Sequence, residues 1–96
     1  MLTRHDIIAI LQSAKPSLQK KYRVKAIALF GSFSRNDANE SSDIDIAVDF
    51  EKTIGIRFVD LADELELPLH HKVDLTTFNA IKPKYLEAIK PQLIYV

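Results

Sequence analysis

The sequence predicts a single α+β domain, a small mixed β-sheet with helices packed against it. Three observations point there. Apolar residues recur at helical spacing near the start, at Ile7, Ile8, Leu11, Ala14 and Leu18. A short apolar run, Val24 to Phe30, stops at Gly31 as a buried strand does. The stretch from Asp43 to Phe50 alternates with period two. Ile44, Ile46, Val48 and Phe50 take one face, and Asp43, Asp45, Ala47 and Asp49 the other.

Taken in order, Thr3 followed by Asp6 is a weak helix-start signal, and a first helix is expected from about Thr3 to Gln19. Pro16 should kink it or close it. The strand Val24 to Phe30 comes next, and Ser32 to Arg35 opens a short helix behind it. Asn36 to Ser42 is polar throughout and reads as a loop before the alternating strand. Ile56, Val59, Ala62 and Leu65 return to helical spacing, with Pro68 as the end of that element. Lys72 to Thr76 reads as a third strand. Pro83 suits the start of a last helix, with Tyr85, Leu86 and Ile89 as its buried side before Pro91. Leu93 to Val96 adds a short final strand.

Composition narrows the function. Ninety-six residues make one small domain, residues 1–96, and 47% hydrophobic content is too high for a disordered chain. The formal net charge is zero, which argues against a strong, non-specific nucleic-acid binder. There is no cysteine, so neither a disulfide framework nor a cysteine zinc site is available. No run approaches the roughly 20 apolar residues of a membrane span, and nothing at the N-terminus resembles a signal peptide. A cytoplasmic protein without membrane contact is expected.

The chemistry concentrates in a few residues. Asp43 and Asp45 are two apart on a strand, so both carboxylates face the same way, with Cα atoms roughly 6.5 Å apart. Carboxylates held close raise each other's pKa, and a cation between them relieves the repulsion. Magnesium suits such a place, because it takes hard oxygen ligands and completes its shell with waters and phosphates. The plainer reading is the wet face of an edge strand. Two features weigh against it: the acids cluster where the strand begins, and a further acid, Asp74, interrupts the apolar run Val73-Asp74-Leu75. A buried or half-buried Asp there needs a partner, and a shared metal supplies one. Before the acids, Gly31 permits close approach, Ser32 offers a hydroxyl and an N–H, and Arg35 adds a charge one turn on.

Phe30-Gly31-Ser32-Phe33-Ser34-Arg35, followed by Ser41-Ser42-Asp43-Ile44-Asp45-Ile46-Ala47-Val48, resembles the nucleotidyltransferase signature of the polymerase-beta superfamily. The short chain is similar to the minimal nucleotidyltransferases (MNT) of prokaryotes. Asp74 falls where that family carries its third carboxylate. The resemblance implies the nucleotidyltransferase core fold, with Asp43, Asp45 and Asp74 holding two magnesium ions. It implies that Gly31, Ser32 and Arg35 hold the β- and γ-phosphates of a nucleoside triphosphate, with Ser42 also at the nucleotide. The implied reaction moves a nucleoside monophosphate, AMP from ATP, to a hydroxyl, and Asp74 helps activate that hydroxyl. The implied partner is a small all-helical HEPN toxin, adenylylated on a tyrosine, with this chain as antitoxin. One departure stands out: relatives carry Gly after the signature Arg, and here it is Asn36, which tolerates a left-handed backbone.

Other residues carry less. His70 and His71, if on a strand, point to opposite faces and do not share a metal. The basic stretch Lys15 to Lys25 and the acids Glu51, Asp60, Asp63, Glu64 and Glu66 read as solvated faces. Tyr85 and Tyr95 are open as core residues or self-modification acceptors. The competing function is a catalytically inactive module that regulates a partner by complex formation; a degenerate member should have lost one of the three acids. A homo-oligomer is left open.

Overall fold

A computed structural model describes residues 2–52 and 57–96. The first helix, α1 (Arg4–Tyr22), opens on a complete capping box: the Thr3 hydroxyl accepts from Asp6 N–H, and the Asp6 carboxylate accepts from Thr3 N–H. It runs through Pro16 and three residues beyond the expected Gln19. Pro16 and Gln12 are both exposed, so the carbonyl that loses its amide partner faces water. Leu18 and Tyr22, buried beyond the proline, hold the last turn down.

Strand β1 (Val24–Phe30) has the predicted bounds. Helix α2 (Gly31–Arg35) follows directly and starts one residue earlier than expected, at the glycine itself. Strand β2 (Ile44–Phe50) leaves Asp43 as the residue just before it. Helix α3 (Arg57–Leu69) includes Pro68 in its final turn, because buried Leu69 continues the helix past it. Strand β3 spans Val73–Thr77, helix α4 spans Pro83–Ile89, and strand β4 is the pair Ile94–Tyr95.

The phase of α3 differs from the expected one. Its buried positions are Leu61, Leu65 and Leu69, at a spacing of four, whereas Val59 is 60% exposed. The expectation had anchored on Ile56, which lies outside the described residues. In α4, Ile89 is buried but Tyr85 is 64% exposed, so Tyr85 is not a core residue.

The sheet order is β3-β2-β1-β4, with β2 and β3 parallel and the other neighbours antiparallel. The helical crossover α3 is what a parallel β2–β3 pair requires. Register explains the two faces. Leu29 pairs with Ile46, and Ile46 with Leu75; Ile27 pairs with Val48, and Ile44 with Val73. These side chains share a face with Ile7, Leu11, Leu61, Leu65 and Leu69, so α1 and α3 cover that side and form the core. The other face carries the line Phe30, Asp45, Asp74 across three strands. Ala47, assigned to this second face, is nevertheless fully buried, so the face is wet only at its ends.

The basic and acidic stretches meet rather than staying merely solvated. Glu64 Oε1 accepts from Lys21 Nζ at 2.6 Å and from Tyr22 Oη at 3.0 Å. Arg57 lies over the Tyr22 ring and donates to the Lys21 carbonyl at 2.6 Å. This cluster ties the end of α1 to α3.

The corrected phase of α3 is testable by chemical denaturation. Leu61→Ala should cost about 2–4 kcal/mol, whereas Val59→Ala should change stability by less than about 0.5 kcal/mol. Equal losses at both positions would restore the other phase.

Candidate active site

The two sheet acids are placed by register. Asp45 and Asp74 are direct neighbours across the parallel β2–β3 pair, so both side chains leave the sheet on the same face. Asp43 precedes Asp45 by two and is half-buried. Burial is the largest influence on Asp45, followed by the charges of Asp74 and Asp43; together they push its carboxyl up from 3.8 to about 6. Arg35 pulls weakly the other way. Asp74 itself is exposed, not buried as its apolar neighbours suggested.

Gly31 makes room for this carboxylate. Its φ of 77° lies in the left-handed region, and a Cβ there would overlap Asp45 Oδ2 and lie 2.9 Å from Asp45 Cγ. Two separate constraints therefore require glycine. Asn36 closes α2 with φ of 65°, and its N–H donates to Phe33 O at 3.3 Å. Asparagine thus makes the left-handed turn here without a glycine.

A cleft of about 670 Å³ opens over this face, within the roughly 300–1,000 Å³ of ligand sites. Gly31, Ser32, Arg35, Asp45 and Asp74 line it, five of the residues expected from the sequence. Asp43 does not line it, although its charge reaches Asp45. Ser42 does not line it either; its hydroxyl accepts from Asn39 N–H at 3.0 Å and closes the loop before β2. That hydrogen bond shapes the loop leading into Asp43.

Sequence reasoning missed Thr76, Lys82 and Gln92, which line the cleft too, and gave Tyr85 to the core. Thr76 was legible by parity, two positions beyond Asp74. Lys82, Tyr85 and Gln92 come from the C-terminal third, and only the fold brings them over the sheet. Gln92 Oε1 accepts from Gly31 N–H and from Arg35 Nη1, each at 3.1 Å. Arg35 Nε donates to Asp37 at 3.1 Å. His70 and His71 lie in the turn before β3, not on a strand, and line a different groove. The His71 ring meets Phe33 edge-on at 5.4 Å.

A family model described as "Polymerase beta, Nucleotidyltransferase" matches residues 12–95. The chain belongs to the polymerase-beta nucleotidyltransferase family. Its relatives within that family include a Methanocaldococcus jannaschii protein provisionally named a protein adenylyltransferase, 42% identical over the whole of both chains. Protein adenylyltransferase MntA of Thermococcus cleftensis is 36% identical over 97 residues, all of this chain and 98% of that one. Among solved structures, a toxin–antitoxin complex with AMP-PNP superposes at a TM-score of 0.66 and 28% identity, covering 98% of this chain and 72% of that one. A tri-AMPylated Shewanella oneidensis HEPN toxin in complex with an MNT antitoxin gives 0.59 and 28%, over 96% and 66%.

The donor set fits a divalent cation. Among the described residues, no three acidic or histidine side chains converge tightly enough to form a closed cage. Magnesium in a nucleotidyltransferase does not need one, since one or two carboxylates suffice when phosphates and waters complete its shell. Burial first, and the charges of Asp74 and Asp43 second, raise the Asp45 carboxyl, and a cation placed beside it would offset both. Among the described residues, no helix is long and apolar enough to cross a membrane.

Two predictions follow from this geometry. Gly31→Ala forces a strained φ and displaces Asp45, so it should lower stability by at least about 1 kcal/mol and remove metal-dependent activity. Normal stability and activity would mean that Asp45 has room to spare. For pH, the Asp45 carboxyl is neutral in folded and unfolded chains below its ordinary 3.8, and charged in both above about 6. Its folded pKa is raised, so ionisation costs the folded state, and metal-free stability contributed by this group falls as pH rises between those values. Melting temperatures in chelator should therefore fall for the wild type relative to Asp45→Asn across that window. A constant difference would show that Asp45 carries no such load.

Proposed function

We propose that this chain is a magnesium-dependent protein adenylyltransferase that moves AMP from ATP to a hydroxyl of a HEPN-type toxin, acting as its antitoxin. The observation that carries the reading is the registered pair Asp45–Asp74 facing Gly31, Ser32 and Arg35 across one cleft. The relatives' names and the complexes of the structural neighbours support it.

Asp43, Asp45 and Asp74 would hold the metal, and Gly31, Ser32 and Arg35 would hold the β- and γ-phosphates. Magnesium, when bound, would supply positive charge that offsets the charge developing on the phosphates. The acceptor hydroxyl attacks the α-phosphorus in line. A new P–O bond forms, the bond to the α,β-bridging oxygen breaks, and pyrophosphate leaves. The hydroxyl proton passes toward Asp74, which is exposed and lines the cleft. Asp45 must be ionised to hold metal, so metal affinity rises with pH through about 6. Positioning and charge neutralisation carry the rate, with no protein nucleophile. A cytoplasmic setting supplies both ATP and the toxin.

The second reading is an inactive partner-binding module. It draws on the open arrangement of the three acids, which do not form a closed cage among the described residues.

The test combines the pure protein, magnesium, labelled ATP and the product of its neighbouring gene. The expected result is label on a partner tyrosine, reduced at least a hundredfold by Asp43→Asn or Asp45→Asn while the fold survives. A stable complex with no label would favour the binding module. Label undiminished in both variants would remove the aspartates from the chemistry.

A further inference from the structure

The side-chain carbonyl of Gln92 takes two donors at once, Gly31 N–H and Arg35 Nη1, each at 3.1 Å. Both belong to the set assigned above to the triphosphate. A carbonyl oxygen bound by a main-chain N–H and a guanidinium is the neutral counterpart of a phosphate oxygen. The backbone of Gln92 is held separately: its carbonyl accepts from the buried Ser34 hydroxyl. Leu93 N–H closes the preceding 3₁₀ turn onto Lys90 O, and Ile94 pairs with Leu29. The side chain is therefore free to leave its two donors while the chain on either side stays in place. Arg35 is also oriented by Asp37, so its guanidinium does not depend on Gln92 for position.

We propose that Gln92 is a placeholder for a phosphate oxygen and sets the affinity for the triphosphate. Binding exchanges the Gln92 amide oxygen for a β- or γ-phosphate oxygen on Gly31 N–H and Arg35. The apparent affinity is lowered by the fraction of molecules in which Gln92 occupies these donors. The inference rests on the proposed function in one respect, that the ligand is a nucleoside triphosphate.

The role differs from a merely structural one in sign. A support lost on substitution weakens binding, whereas a competitor lost on substitution strengthens it. It also discriminates among ligands, because only those with phosphates beyond the α-position meet the donors that Gln92 holds.

The experiment is calorimetric binding of ATP, pyrophosphate and AMP, with magnesium, to the full chain and to Gln92→Ala, Gln92→Met and Gln92→Glu. Methionine keeps much of the side-chain length without the carbonyl, and serves if alanine disturbs the fold. Alanine and methionine should bind ATP and pyrophosphate roughly three- to tenfold tighter, with AMP unchanged. Glutamate, which ties Arg35 with a full charge, should weaken ATP and pyrophosphate and leave AMP alone. Weaker or unchanged ATP binding in folded Gln92→Ala and Gln92→Met overturns the placeholder while leaving the nucleotide site standing. Equal tightening of AMP overturns it too, by moving the effect away from the outer phosphates. A wild type that binds none of the three ligands overturns the nucleotide reading itself, and the placeholder with it.

Discussion

The adjacency of Asp45 and Asp74 is the interaction on which the site depends. Parallel pairing of β2 and β3 fixes it, because a shift of one residue would turn Asp74 into the core and bring Val73 or Leu75 to the cleft. The apolar residues on either side of each acid enforce the register. Ile44 and Ile46 are fully buried, and Val73 nearly so. The energy that seats these side chains also forces two like charges together. The raised pKa of Asp45 records its burial first and these charges second. In the proposed reaction a cation at this place would relieve both.

The glycine at the end of β1 belongs to the same constraint. β1 pairs with β2 so that Phe30 stands opposite Asp45, and the next residue must turn away over the carboxylate. Only a residue without Cβ does this. The turn then delivers Ser32 and Arg35 to the cleft and Phe33 to the core, where it is nearly fully buried. One short helix thus connects the packed layer below the sheet edge with the polar surface above it. This is why the signature is dense: its residues serve packing and chemistry within a few positions of each other.

Legibility in the sequence divided along the same line. β1 was readable to the residue because its apolar run ends at a glycine, and the shared face of Asp45 and Asp74 follows from their register in the sheet. The helices were less so. Pro68 was taken as a stop and Pro16 as a kink or a close, yet buried side chains beyond each one outweigh a lost hydrogen bond at an exposed position. In α3 the expected stripe placed Leu65 rightly but also took in Val59, which is exposed, and left out Leu61 and Leu69, which share the packing with Leu65. The C-terminal wall of the cleft was invisible for a different reason. Gln92 lies 61 positions from Gly31, and no local pattern joins them.

That wall gives the domain its asymmetry. One side of the cleft, built on β2 and β3, is rigid sheet with acids in fixed register. The other side is α4 and the 3₁₀ turn after it, which carry Lys82, Tyr85 and Gln92 and are seated largely through Ile89, the Ser34 contact and the two-residue strand β4. A few buried groups hold this side, so it is the part of the cleft best able to adjust to a ligand. In the proposed reaction the acids fix where phosphorus lies, and the adjustable wall decides what else is admitted. The exposed Tyr85 ring, 64% open to solvent at the rim, stands on that adjustable side. An acceptor brought by a partner protein therefore approaches against a surface that yields, while the reacting centre behind it does not.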